Sequence, residues 1–295
     1  MKILLPLDGS EYSEYALNFL ASRAALNLEH PQIVLLNVQP PLPSKVTKEE
    51  EVQDYYQEEF DKALEPARKM LKEKGIEFTE VCSIGEPGRT IALEADKRKA
   101  DLIIMGSRGR SAIKGLIFGS VTNSVLALTK VPLLTLRSSR TPKTDNLTVG
   151  IAVDGSAHAK AAVKYVLQNL PLFGKEPSFH VINTVSDYAG AIMPDMTGMA
   201  LPALSEDEVL ELQKNEFDEA MDTVRPLFAK AKVPTKEVCL VGNPGDEIAA
   251  YAVKHHLNLL VIGNRGYGRF KSAVMGSTAM RIASLGDVPL LIIRQ

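Results

Sequence analysis

One spaced-glycine pattern occurs twice in this chain of 295 residues. The first copy is Gly106-Ser107-Arg108-Gly109, nine residues, then Gly119-Ser120; the second is Gly263-Asn264-Arg265-Gly266, nine residues, then Gly276-Ser277. Each copy follows a short apolar run, at 102–105 or 259–262. That context puts a glycine-rich turn at the carboxyl end of a strand, where open α/β sheets bind ligands. Identical spacing in identical context marks a duplicated phosphate-binding loop.

The duplication reaches well beyond the loops. Asp8-Gly9-Ser10 recurs as Asp154-Gly155-Ser156, 146 residues on, and Asn37 and Asn183 keep that offset. Gly85-Glu86-Pro87-Gly88 recurs as Gly242-Asn243-Pro244-Gly245, 157 residues on; Cys82 and Cys239, and the Val-Pro-Leu-Leu runs at 131 and 288, keep this larger offset. Glu51-Val52 already matches Glu208-Val209 at 157, so the 11 extra residues fall between Thr184 and Leu204.

Within the first half, short apolar runs predict strands over 2–7, 32–38, 77–83, 101–105 and 132–136, buried on both faces as in a parallel sheet. Helices are expected over 10–28, 47–74, 88–98 and 119–129, with Pro66 kinking or splitting the long one. The second half repeats this order over about 148–293. The expected fold class is α/β: two tandem doubly wound, Rossmann-like domains, each a five-stranded parallel sheet with helices on both faces. Residues 1–140 and 147–295 form the two domains. The polar stretch Ser138–Asn146 reads as structureless connection, with 141–146 as the linker proper.

Composition bears on what such domains do. Hydrophobic residues are 45% and charged residues 24%, enough apolar material for two cores. A net charge of −2 lends no electrostatic support to nucleic-acid binding. No apolar run approaches the roughly 18 residues of a membrane span. The start Met1-Lys2-Ile3-Leu4-Leu5-Pro6-Leu7-Asp8 is too short and too soon acidic for a signal peptide. Two cysteines form neither a disulfide framework nor a metal cluster, and the expected compartment is the cytoplasm.

Gly106 and Gly109 permit a sharp turn and a close backbone approach to a ligand. Gly119-Ser120 and Gly276-Ser277 each open a helix whose unsatisfied N–H groups favour phosphate. Ser120 and Ser277 would cap the helix or donate to a phosphate oxygen. Arg108, Arg110 and Lys114, and Arg265, Arg269 and Lys271, would neutralise phosphate charge. The bland alternative is an ordinary tight turn with solvated basic residues. Asp8 and Asp154 end the first strand of each half, where a carboxylate accepts from ribose hydroxyls. The alternative there is helix capping, and both roles are compatible: Ser10 or Gly9 near the cap, Asp8 facing the ligand.

Taken together, Asp-Gly-Ser, Asn37-Val38, Gly-x-Pro-Gly and Gly-x2-Gly-x9-Gly-Ser resemble a tandem universal stress protein of the ATP-binding branch, over nearly the whole chain. The resemblance implies that Asp8, Gly106, Gly109, Gly119, Ser120 and Val121 hold ribose and phosphates, with Arg108 beside them and Val38 and Met105 at adenine. It implies Asp154, Gly263, Gly266, Gly276, Ser277 and Thr278, with Arg265, Thr184 and Ile262, for the second half. The implied ligand is ATP or AMP, with Mg²⁺ admitted beside the phosphates. Single-domain relatives pair through their last strands. The equivalent segments here, 132–136 and 289–293, would pair within one chain as a pseudo-twofold intramolecular dimer, compatible with a further homodimer.

No Gly-x4-Gly-Lys-Ser/Thr loop, third dinucleotide-fingerprint glycine or Gly-x-Ser-x-Gly elbow is present. His255-His256, adjacent on a helix, are poor co-ligands for a metal, and Cys82 and Cys239 read as buried packing thiols. With no nucleophile set beside a base, the expected function is nucleotide-binding regulation in a stress response. A slow ATPase, and a nucleotide-free scaffold binding a protein or lipid-like ligand through the Met-rich 184–204 loop, stand as the alternatives.

Overall fold

A computed structural model describes residues 1–42, 49–107, 118–137, 142, 144–188, 204–264 and 276–294. The first half runs β1 (Lys2–Pro6), α1 (Glu11–Ala21), α2 (Ala24–Leu28), β2 (Gln32–Gln39), α3 (Glu49–Glu73), β3 (Phe78–Ile84), α4 (Pro87–Arg98), β4 (Leu102–Gly106), α5 (Ser120–Leu128) and β5 (Leu133–Leu136). The second runs β6 (Thr148–Ala152), α6 (Ala157–Gln168), a 3-10 turn (Leu170–Phe173), β7 (Ser178–Val185), α7 (Glu206–Asp222), α8 (Arg225–Ala231), β8 (Thr235–Val241), α9 (Pro244–Lys254), β9 (Leu259–Gly263), α10 (Ser277–Leu285) and β10 (Leu290–Ile293).

All ten strands join one sheet in the order β3-β2-β1-β4-β5-β10-β9-β6-β7-β8. Pairing is parallel within each half. β5 and β10 meet antiparallel, with Leu134 opposite Leu291. The carboxyl ends of the two half-sheets therefore face opposite ways. Beyond the last strands, Arg137 donates to the Ala283 carbonyl and Arg294 to the Thr129 carbonyl, each crossing to the other half.

Two apolar layers sandwich the sheet. One contains Leu5, Ala16, Leu64 and Leu71 and continues through Val149, Val163 and Phe228. The other contains Leu36, Ile91 and Val125 and continues through Ile248, Ile282 and Leu290. Thus α1, α3, α6, α7 and α8 cover one face, and α4, α5, α9 and α10 the other. β4 and β5 are buried at every residue, as continuous apolar runs between two neighbours should be.

Three local expectations are corrected. β3 and β8 are edge strands with alternating exposure rather than strands buried on both faces. Cys82 and Cys239, which lie on them, are consequently exposed, not packed inside. The α3 helix runs through Pro66 unbroken. Pro66 faces solvent while Ala63, Leu64, Ala67 and Leu71 are buried, so core packing outweighs one lost backbone bond. The break comes instead in the second half, ahead of α8, where Pro226 occupies a first-turn position that needs no N–H donor.

The first predicted helix also divides, into α1 and α2, at Arg23. This residue is fully buried, and its guanidinium donates to the carbonyls of Asp145 at 2.8 Å, Thr144 and Pro142. Burial pulls it down to about 10. Pro142, Thr144 and Asp145 of the polar connection are thereby tied to the first half.

Candidate nucleotide site in each half

In each half the first strand lies between the second and the fourth. Connections leave β1 and β4 toward opposite faces, which opens a crevice at their carboxyl ends. Asp8 follows β1 there. Its Oδ1 accepts from the Ser10 backbone N–H at 3.0 Å and from Ser10 Oγ at 2.5 Å. Ser10 in turn caps α1, accepting from the Ser13 N–H. Asp154 and Ser156 repeat this at 3.0 Å, with Ser156 capping α6. The tight turn requires left-handed backbone at Gly9 (φ 73°) and Gly155 (φ 79°). The serine is the cap in both copies, and the aspartate braces it at the crevice mouth.

The carboxyl end of the second strand is stapled beside it. Asn37 Nδ2 donates to the Leu7 carbonyl at 2.6 Å and Asn183 Nδ2 to the Val153 carbonyl at 2.8 Å. These asparagines were visible in the sequence as repeat markers; the burial that makes them staples was not.

Gly106 and Gly263 end β4 and β9, where two helices come close. A Cβ on Gly106 would meet Tyr12 backbone atoms at 2.6 Å, and one on Gly263 would meet His158 at 2.9 Å. The glycines admit the first turn of α1 and α6. The second glycine of Gly-x-Pro-Gly acts similarly: a Cβ on Gly88 would meet Ser124 Cβ at 2.3 Å, and one on Gly245 would meet Arg281 Cβ at 2.5 Å.

Both glycine loops are closed at the root. Gly119 N–H donates to the Ser107 carbonyl at 2.8 Å, and Gly276 N–H to the Asn264 carbonyl at 2.8 Å. Thr122 Oγ1 also donates to the Ser107 carbonyl at 3.2 Å. Arg108 and Gly109, and Arg265 and Gly266, lie outside the described residues, as do Arg110, Lys114, Arg269 and Lys271. Gly119 and Gly276 are the N-caps of α5 and α10, in extended conformation and without a side-chain cap bond. Ser120 and Ser277 are therefore the first helical residues and do not cap. The cap geometry that aims a side chain at the N2 or N3 amide belongs to the preceding residue, which has no side chain. Among the described residues, no N-cap side chain takes up the opening N–H groups of either helix.

The apolar wall lies on the α4/α5 face. Met105 is buried there, and Val38 and Val121 pack against the same cluster. In the second half Ile262 is buried in it. Thr184, two residues after clustered Ile182, points the same way by strand alternation. An open cleft of about 580 Å³ adjoins α10, lined by Asn243, Pro244, Ser277, Thr278, Met280, Arg281 and Ser284. Asn243 caps α9 by accepting from the Gly245 and Asp246 N–H groups. Glu86 caps α4 in the same way.

Away from the crevice, His255 and His256 are not a helical pair. His255 is the C-cap of α9 and His256 has φ 51°. His255 stacks on Tyr251, ring centroids 4.0 Å apart. Among the described residues no group of three His, Cys, Asp or Glu side chains could hold a metal, and no helix is long and apolar enough to cross a membrane.

Comparison with known proteins agrees with the repeat. The model of the universal stress protein family matches residues 1–137 and again 146–294. A universal stress protein of Methanocaldococcus jannaschii is 30% identical over 142 residues, covering 47% of this chain and 83% of its own. Universal stress protein YxiE of Bacillus subtilis is 30% identical over 145 residues, covering 46% of this chain and 98% of its own. The crystal structure of a universal stress protein from Archaeoglobus fulgidus has a TM-score of 0.69 at 22% identity, covering 99% of this chain and 98% of that one; at that identity it speaks for the fold. Sequence match in both halves and a shared two-domain architecture converge: the chain belongs to the universal stress protein family and carries its domain twice in tandem.

Proposed function

We propose that this protein binds adenine nucleotide, ATP or AMP, in the crevice of each half, as a cytoplasmic nucleotide-responsive regulator. The units are residues 1–140 and 147–295, joined by 141–146. The observation that carries the reading is the pair of glycine-capped helix starts at Gly119 and Gly276, whose amide donors no side chain caps among the described residues, beside a braced aspartate at the sheet's switch point. Phosphates would lie at Gly119, Ser120 and Val121, and at Gly276, Ser277 and Thr278. Ribose would meet Asp8 or Asp154; adenine would lie by Val38 and Met105, or Thr184 and Ile262. Mg²⁺ would accompany a triphosphate. Arg108, Gly109, Arg265 and Gly266 complete the proposed loops.

Calorimetric titration with ATP and AMP tests this. Two nucleotides per chain are expected. Gly119→Val keeps an extended cap that valine adopts, yet fills the phosphate position. It should weaken one site at least about tenfold, roughly 1.4 kcal/mol, and Gly276→Val the other. Wild-type protein that takes up neither nucleotide would overturn the proposal.

A further inference from the structure

The helices that open at the two glycine caps, α5 and α10, have no basic residue in their last turns. Neither brings its own cation to the carbonyls left over at its carboxyl end. The other half brings one. Arg294, just beyond β10, donates to the carbonyl of Thr129, the C-cap of α5. Arg137, just beyond β5 and the counterpart of Arg294 157 residues earlier, donates to the Ala283 carbonyl in the last turn of α10. Strand direction explains the exchange. α5 ends just ahead of β5, and β10, antiparallel to β5, delivers its own carboxyl end there. Arg137 makes a second contact: its guanidinium lies over the ring of Phe118, 5.7 Å from the centroid. Phe118 is 2% exposed and immediately precedes the cap Gly119.

Resting on the nucleotide reading above, we infer that each site is completed by the other half of the chain. Arg294 is a positioning residue of the first site and Arg137 of the second, each acting through the helix whose opening amides face the phosphates. A cation at the carboxyl end holds the last turn and offsets the negative pole of the helix, so the amide donors at the opposite end stay set for an anion. Arg137 also braces the first site through Phe118, which makes it the residue that joins the two sites.

The test uses the full chain with one site disabled at a time. Gly276→Val leaves the first site as the reporter and Gly119→Val the second. Calorimetric titration with ATP should show that Arg294→Met weakens the first site about threefold and weakens the second by less, although Arg294 belongs to the second half. Arg294→Lys, which keeps the cation, should recover most of the loss. Arg137→Met should weaken both sites, through Ala283 and through Phe118. An Arg294→Met loss that is equal at the two sites, or larger at the second, overturns the inference, because the arginine then acts on the fold as a whole or within its own half. Unchanged affinity at the first site also overturns it, as does Arg294→Lys behaving like Arg294→Met. Reporter chains that bind no ATP with both arginines in place remove the nucleotide reading and the inference with it.

Discussion

Arg68 in the first half and Arg225 in the second grip the edge strand in the same way. Arg68 holds Glu80 through Nε and Nη2 at 2.8 Å each and Asp61 through Nη1 at 2.6 Å. Arg225 holds Glu237 at 2.8 Å twice and Asp218 at 2.9 Å. The α4/α9 position shows the opposite. Glu94 and Arg98 form an ion pair at 2.8 Å in α4, where α9 has Tyr251 stacked on His255 and 3.0 Å from His180 Nδ1. The arginine grip on the edge strand was retained through the duplication. The α4/α9 contacts diverged, including the one from Tyr251 on α9 to His180 on β7. Also retained are Gly106 and Gly263, at backbone distances that admit few side chains, the Asn37 and Asn183 staples and the two glycine caps.

The largest test of that division concerns Arg23, which has no copy: Asn169 stands at its place and merely donates to the Tyr165 carbonyl at 2.8 Å. Arg23→Met keeps the stem but strands the carbonyls of 142, 144 and 145. Denaturant titration should show a loss of about 3 kcal/mol, against less than about 1 kcal/mol for Asn169→Ala. Equal losses would mean that the connection is not held by the guanidinium.

Next come the paired glycines. Gly106→Ala should cost about 2–3 kcal/mol and Gly263→Ala about 1–2 kcal/mol, since the added Cβ meets α1 backbone at 2.6 Å in the first case and α6 at 2.9 Å in the second. A reversed order in thermal melts would show that α1 shifts more easily than α6.

Asn37 Oδ1 accepts from Gln39 Nε2 at 2.9 Å, whereas Val185 replaces that glutamine and Asn183 Oδ1 is unpartnered among the described residues. Gln39→Val would convert the end of β2 into that of β7 by orphaning Asn37 Oδ1. The expected loss is about 1–2 kcal/mol without nucleotide; no loss would mean that water enters to satisfy the amide.

The smallest effect is acid sensitivity. Burial, then Lys236 and His255, hold His180 below its ordinary 6.5. A base whose folded-state value is depressed contributes stability that is complete above about pH 6.5 and is lost as pH falls through the folded value. Melting at pH 7.5 and pH 5.0 should show a larger drop for wild type than for His180→Val, which installs the first half's Val34. Equal drops would assign the acid sensitivity to other groups.

Much of the fold is legible in the chain. The doubled motifs at 8, 85, 106 and 119 and their copies fixed two domains of strand–helix alternation, because glycine at a close approach and apolar runs inside a parallel sheet tolerate little else. Element types followed, while ends and breaks did not. Pro66 reads as a breaker and is overridden by packing on its buried neighbours, and nothing local in Ser22-Arg23 announces that an arginine will be buried against carbonyls some 120 residues away. The edge position of β3 and β8, and so the exposure of Cys82 and Cys239, depends on strand order, which no single strand encodes.

At the crevice the same division holds. Local chemistry identified Asp8, Gly119 and Gly276, since turns and helix starts are decided within a few residues. Only the tertiary structure assigned Gly106 and Gly263 to helix approach and left Thr184 Oγ1 without a partner. Each of those depends on which backbone comes within about 3 Å from a distant part of the chain, and that distance is set by the assembled sheet, not by the residues on either side.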